Sequence, residues 1–166
     1  GDIRLKKRIK IEADETGGSL FDKLALMGGP LICEVLDMSE KGLVTRSPQT
    51  GEASYAGMLH KKMGLIDFTW DAVRIERLIR GLNPWPSAYT KLNGKTLKIW
   101  RAAVEAGGDA KDAGKVVTAN KKELKIQTGD GILSLLEVQL EGKKRMDIEA
   151  FLRGYEVMEQ TILTME

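Results

Sequence analysis

The sequence predicts an α+β chain. A strand–helix unit occupies residues 1–41, and a mainly antiparallel β unit with small helices, curled into a small barrel, occupies residues 67–166. Three observations predict this. Residues 3–11 alternate apolar and cationic side chains, and residues 20–36 repeat apolar side chains at helical spacing. Five short apolar runs, separated by turn residues, follow residue 87.

In IRLKKRIKI (3–11), Ile3, Leu5, Ile9 and Ile11 share one face, and Arg4, Lys6, Arg8 and Lys10 share the other. This pattern predicts a half-buried strand with one wet side. Residues 14–19 form a turn and cap. Leu20, Phe21, Leu24, Met27, Leu31, Ile32, Val35 and Leu36 then form a helical stripe, interrupted by Gly28, Gly29 and Pro30. Proline removes an intrahelical donor, so a kink or two short helices is expected there. Cys33 reads as a small core side chain rather than a nucleophile, because no histidine lies near it in the sequence.

Residues 42–66 lack a sustained period and read as a linker between two packed units, with His60 as an exposed polar residue. A helix follows, with Thr69 as its cap, Ile75, Leu78, Ile79 and Leu82 facing inward and Gly81 as its stop. Asn83-Pro84-Trp85-Pro86 prevents its continuation. Residues 88–92 and 95–104 flank Asn93-Gly94, the signature of a two-residue type I′ hairpin. Val116-Val117, the Leu124 and Ile126 pair, and residues 132–140 read as further strands. Residues 147–155 read as a short helix, and the rest as a tail.

The 166 residues are 42% hydrophobic and 30% charged, which excludes collagenous and disordered classes. No apolar run approaches the roughly 18 residues of a membrane span. One cysteine and one histidine leave no internal disulfide framework, no multi-cysteine zinc site and no two-histidine metal site, and the single thiol fits a reducing cytoplasm. The chain opens at Gly1 on a β-type pattern rather than a signal peptide, which reads as a piece of a longer polypeptide.

The net charge of +2 hides a polarised distribution. Residues 74–101 carry Arg74, Arg77, Arg80, Lys91, Lys95, Lys98 and Arg101 against Glu76 alone, and residues 147–166 carry a net −4. The linker adds Lys61 and Lys62, and Lys143, Lys144 and Arg145 follow the last long strand. No phosphate loop, dinucleotide fingerprint, nucleophile elbow or H-E-x-x-H motif is present. The strongest signal is therefore binding: cations that neutralise phosphates, interleaved with Trp85, Tyr89 and Trp100. Among small barrels the OB-fold is the commonest polyanion-binding kind. Trp85 and Trp100 are read first as packing residues, because large aromatics usually serve a small barrel's core. Stacking on bases or on an unpaired terminus is the alternative.

The strings LIRGLNPWPSAYTKLNGKTLKIWRA (78–102), TGDGILSLLEVQLEGKKRM (128–146) and AFLRGY (150–155) resemble the C-terminal domain of the methionyl-tRNA formyltransferases. YAGMLHKKMGLIDF (55–68) is similar to the linker of that family. Residues 1–41 resemble the final strand and helix of its Rossmann-like formyltransferase domain. The resemblance implies a cytoplasmic, monomeric enzyme of translation initiation. It would move a formyl group from 10-formyltetrahydrofolate to the methionine amine of initiator methionyl-tRNA, with no metal and no DNA or membrane partner. It implies that the family's catalytic Asn, His and Asp lie upstream of Gly1, so this chain supplies no catalytic or folate-binding residue and is inactive in isolation. It implies a tRNA-binding role for Lys61, Lys91, Lys95, Lys98, Lys143, Lys144 and Arg145, to which the charge pattern adds Lys62, Arg77, Arg80 and Arg101. Met58 stands where the family often has Lys, and Lys62 where it has an acid. A related folate-dependent formyltransferase or formyl-folate hydrolase, and a non-enzymatic RNA-binding module, are the alternatives.

Overall fold

The computed structural model describes residues 1–164, which divide into two compact units, 1–58 and the residues from 59 onward. In the first unit a single helix, α1 (Gly17–Glu40), is opened by a capping box. The Thr16 hydroxyl accepts from the Ser19 N–H at 3.1 Å, and the Ser19 hydroxyl accepts from the Thr16 N–H at 3.0 Å. Pro30 lies inside α1 and does not divide it, contrary to the expectation of two short helices. The carbonyl that loses its donor belongs to Leu26, which is 80% exposed, so water can satisfy it. Cys33 is exposed rather than a core side chain.

The strand expected over 3–11 is reduced to one antiparallel bridge, Ile3 with Ser47. A strand needs a ladder partner, and within this unit only Ser47 supplies one. Every buried apolar side chain among the described residues belongs to the second unit, so the first unit has no core of its own.

The second unit is an antiparallel sheet laid against helices. Residues 61–64 form a 3-10 turn, and Asp71 starts α2 (Ala72–Gly81) by accepting from the Arg74 N–H at 2.8 Å. The cap is thus Asp71 and not Thr69, whose hydroxyl and N–H both donate to Asp67. Ala72, Ile75 and Ile79 are the buried side of α2. The sheet comprises β1 (Ala88–Leu92), β2 (Lys95–Glu105), β3 (Val116–Ala119), β4 (Leu124–Gln127), β5 (Ile132–Leu140) and the short β6 (Met146–Asp147). They pair in the order β1-β2-β5-β4-β3, with β6 on β5. Asn93 and Gly94 turn β1 into β2 at φ 50° and 76°, the left-handed pair that a type I′ turn requires. Asp147 caps α3 (Ile148–Gly154), whose Phe151 is buried and stacks on Tyr155 at 5.2 Å.

Residues expected to be a tail instead complete the sheet. Residues 160–163 pair along the start of β3, where the Val116 N–H donates to the Thr161 carbonyl at 2.8 Å and the Leu163 N–H to the Gly114 carbonyl at 2.8 Å. Thr164 then bridges Lys91 of β1, through bonds of 3.0 and 3.2 Å. The two outer strands, β1 and β3, are therefore joined through this segment, and the sheet becomes a small closed barrel with no long free edge. Leu97, Ile99, Val116, Leu124, Ile126, Leu133, Leu135 and Val138 fill it, each at most 1% exposed.

Candidate nucleic-acid interface

The strand period decides which side chains share the outer face. In β1, Ala88, Thr90 and Leu92 are buried, leaving Tyr89 and Lys91 outward. In β2, Leu97 and Ile99 are buried, leaving Thr96, Lys98 and Trp100 outward. The register sets Tyr89 opposite Lys98 and Lys98 opposite Gln139 of β5, so one row crosses three strands. Lys91 sits opposite Thr96 in the next row, its Nζ donating to the Thr96 hydroxyl at 3.0 Å. A bulge in β2 around Trp100 and Arg101 shifts the register there and brings Arg101 opposite Glu137.

Trp100 is the platform of this face. Its ring lies 4.7 Å from the Arg145 guanidinium carbon and 5.6 Å from the Lys98 Nζ, both within cation–π range. Its Nε1 is buried without an acceptor among the described residues. Arg145 is held by a second clamp: its Nε and an Nη each donate to Glu137 at 2.6 Å, a bidentate fork. That fork holds the Glu137 carboxyl below the usual carboxylate range, against the opposing effect of burial, and pushes Arg145 further up. Glu141 is likewise lowered, chiefly because it accepts the Thr96 N–H at 2.9 Å, with Lys91 and Lys95 adding a smaller attraction. Thr96, Lys98, Gln139, Leu140, Glu141 and Gly142 line a shallow groove of about 240 Å³ on this face.

Of the residues singled out in the sequence, Lys91, Lys95, Lys98, Arg101 and Arg145 come together around β1, β2 and the end of β5. Lys143 and Lys144 lie exposed on the loop that carries Arg145. The loop is folded back where the Gln139 amide donates to the Lys143 carbonyl at 3.0 Å. Lys61 and Lys62 are exposed on the 3-10 turn, which runs into the Leu65–Tyr89 bridge at the edge of β1. Arg77 is exposed on α2, while Arg80 on the same helix is ion-paired with Glu76 and is not an open phosphate partner. Among the described residues, no ion pair engages Lys61, Lys62, Arg77, Lys91, Lys95, Lys98, Arg101, Lys143 or Lys144.

The sequence reading overlooked Glu137 and Glu141. Their signal was present, since Glu137 and Gln139 alternate along β5 and Glu141 continues the spacing just past its end, which puts polar groups on one face. The expectation that Trp85 packs in the core also fails, because it is 55% exposed. Trp100 is half-buried beneath its two cations. The described residues contain no cluster of His, Cys, Asp and Glu suited to a metal ion, and no helix long and apolar enough to cross a membrane.

Fold and surface together define a small closed β-barrel with a cationic outer face. Residues 58–156 match the family described as formyl transferase, C-terminal domain, and the chain belongs to that family. It is 51% identical to a methionyl-tRNA formyltransferase of Agathobacter rectalis over 99% of this chain and 54% of that protein. A methionyl-tRNA formyltransferase of Lachnospira eligens is 49% identical over 93% of this chain and 51% of its own length. The chain thus spans about half the length of the curated relatives it matches. Among solved structures, a HypX variant from Aquifex aeolicus shares the fold at TM-score 0.62 and 18% identity, over 97% of this chain and 32% of that one. Another HypX structure, in complex with tetrahydrofolic acid, reaches TM-score 0.50 at 19% identity over 80% of this chain and 26% of that one.

Proposed function

We propose that the chain is the tRNA-holding part of a methionyl-tRNA formyltransferase. The complete enzyme would carry the formyl group of 10-formyltetrahydrofolate to the methionine amine of initiator methionyl-tRNA. The observation that supports this reading best is the cationic face around Trp100, where Lys98 bears no ion pair among the described residues and Arg145 is shared with Glu137, on a barrel of the formyl transferase C-terminal family. Lys61, Lys62, Lys91, Lys95, Lys98, Arg101, Lys143 and Lys144 would neutralise phosphates. Arg145 would join them when an RNA oxygen competes with Glu137 for its fork. Arg77 and Arg80 would be peripheral, Arg80 because Glu76 already holds it.

The chemistry asked of these residues is positioning. Cations at the barrel fix the body of the RNA so that its acceptor end is delivered to the reacting groups, which converts part of a bimolecular step into an intramolecular one. No side chain of this chain is assigned to bond-making. In this reading folate binding and the catalytic Asn, His and Asp would lie outside the 166 residues, in the remaining half of the full-length enzyme. We read the protein as monomeric and cytoplasmic, with no DNA or membrane partner.

Filter binding of initiator tRNA to the 166-residue chain at rising salt tests the reading. Affinity falls steeply and linearly on logarithmic axes, whereas a flat response refutes it. The same chain given formyl donor and charged tRNA shows no formyl transfer, and turnover by it would refute the assignment of chemistry elsewhere.

A further inference from the structure

The cationic face leaves one aromatic side chain unexplained. Trp85 is 55% exposed, although it sits in the middle of a tightly held loop between α2 and β1. The loop is pinned on both sides. At one end the Asn83 amide donates to the Trp100 carbonyl at 3.2 Å, at the β2 bulge. At the other, Gly64 lies so close that a Cβ there would meet the Ser87 carbonyl oxygen at 2.0 Å. The Ser87 N–H closes the loop on the Leu82 carbonyl at 2.9 Å, and Pro86 and Ser87 are buried. Proline on either side of Trp85 restricts the backbone further.

A large indole on a pinned loop binds without the backbone that carries it having to be ordered first, and its exposed ring offers an aromatic face to a ligand. The segments that pin the two ends of its loop both carry cations. Lys61 and Lys62 precede the Gly64 contact, and Arg101 with the Arg145–Trp100 pair lies beyond the Asn83 contact. Trp100 cannot play this part, because Arg145 and Lys98 already lie over its ring.

We propose that Trp85 is a stacking platform for an unpaired base of the bound RNA, set between two groups of phosphate-binding cations. This rests on the reading that the chain holds tRNA, and it deepens that reading by naming a contact to a base rather than to the backbone. Flanking cations track phosphates, and the indole between them takes a base whose edges are not engaged in a duplex.

The test uses the 166-residue chain with two RNA duplexes of the same sequence, each of two separate strands, one with an unpaired 3′ end and one blunt. Trp85→Ala lowers affinity for the overhanging RNA by roughly 5- to 150-fold, the range for losing one stacked base, and leaves the blunt RNA unchanged. The slope of log affinity against log salt stays that of the parent, because no phosphate contact is lost. Trp85→Phe retains most of the affinity, and both variants melt like the parent because the ring is exposed. Equal losses on the two RNAs, a reduced salt slope, or no loss at all would overturn the stacking assignment while leaving tRNA binding intact. Failure of the underlying reading shows differently: the parent itself would bind the overhanging RNA without salt dependence.

Discussion

Reversing Lys143, Lys144 and Arg145 together to Glu puts the proposed face under direct strain. Lys143 and Lys144 are exposed and bear no ion pair among the described residues, so each offers a full phosphate contact. Counterion release at about 0.7 to 0.9 per contact gives the two lysines a slope of about 1.4 to 1.8. Arg145 begins engaged with Glu137, and if RNA frees its fork the sum rises to about 2.1 to 2.7. Between roughly 50 and 200 mM salt, the parent then loses about 7- to 40-fold more affinity for initiator tRNA than the variant does. The comparator reverses Arg4, Lys6 and Arg8, which lie in the first unit, and is expected to keep the parent's slope. Filter-binding or anisotropy titrations across that salt range read both slopes. Equal slope losses from the two triples would refute the placement of the binding face. So would an affinity loss without any change of slope, which would point to damage rather than to lost phosphate contacts. The Arg145–Glu137 pair is too exposed to dominate stability, so the variant remains folded.

Glu137→Gln releases Arg145 and should tighten RNA binding by about 5- to 8-fold at ~0.1 M salt, read in the same titration. The same substitution alters acid behaviour. The native Glu137 carboxyl is held below its ordinary range, so its contribution to stability is fully present above the unfolded value and disappears as pH falls through the lowered native one. Melting curves between neutral and strongly acid pH should therefore fall less steeply for the Gln variant. Leu163→Ala removes a buried side chain from the segment that closes the barrel and should cost about 2–5 kcal/mol in urea unfolding. A loss near zero would mean that the segment only decorates the sheet.

Much of the second unit was legible because its signals are local. Asn93-Gly94 demands left-handed dihedrals that few other pairs adopt cheaply, and the alternation in 95–100 leaves one register in which Leu97 and Ile99 face inward. Legibility failed where the deciding partner is distant in sequence. The stripe of 3–11 has the right period, yet a strand exists only through its neighbours, and Ile3 finds one bridge. Residues 160–164 look featureless because their pairing with Val116 and Lys91 follows from ring geometry, not from composition. Trp85 misled for a related reason: its type favours burial, but the loop that carries it is pinned through Asn83 and Ser87 by partners distant in sequence, and its ring is left exposed. At the interface the cations were readable as charge. The Glu137 fork was not, since it depends on β5 meeting the loop after it.

The last stave of the barrel is made by residues 160–164, while the edge that receives it, at Lys91, is synthesised some 70 residues earlier. During translation β1 must wait with one side only partly covered until residues 160–164 have left the ribosome. Ring closure is thus a late, long-range event. The proposed RNA surface across β1, β2 and β5 reaches its final geometry only after that closing segment has been made.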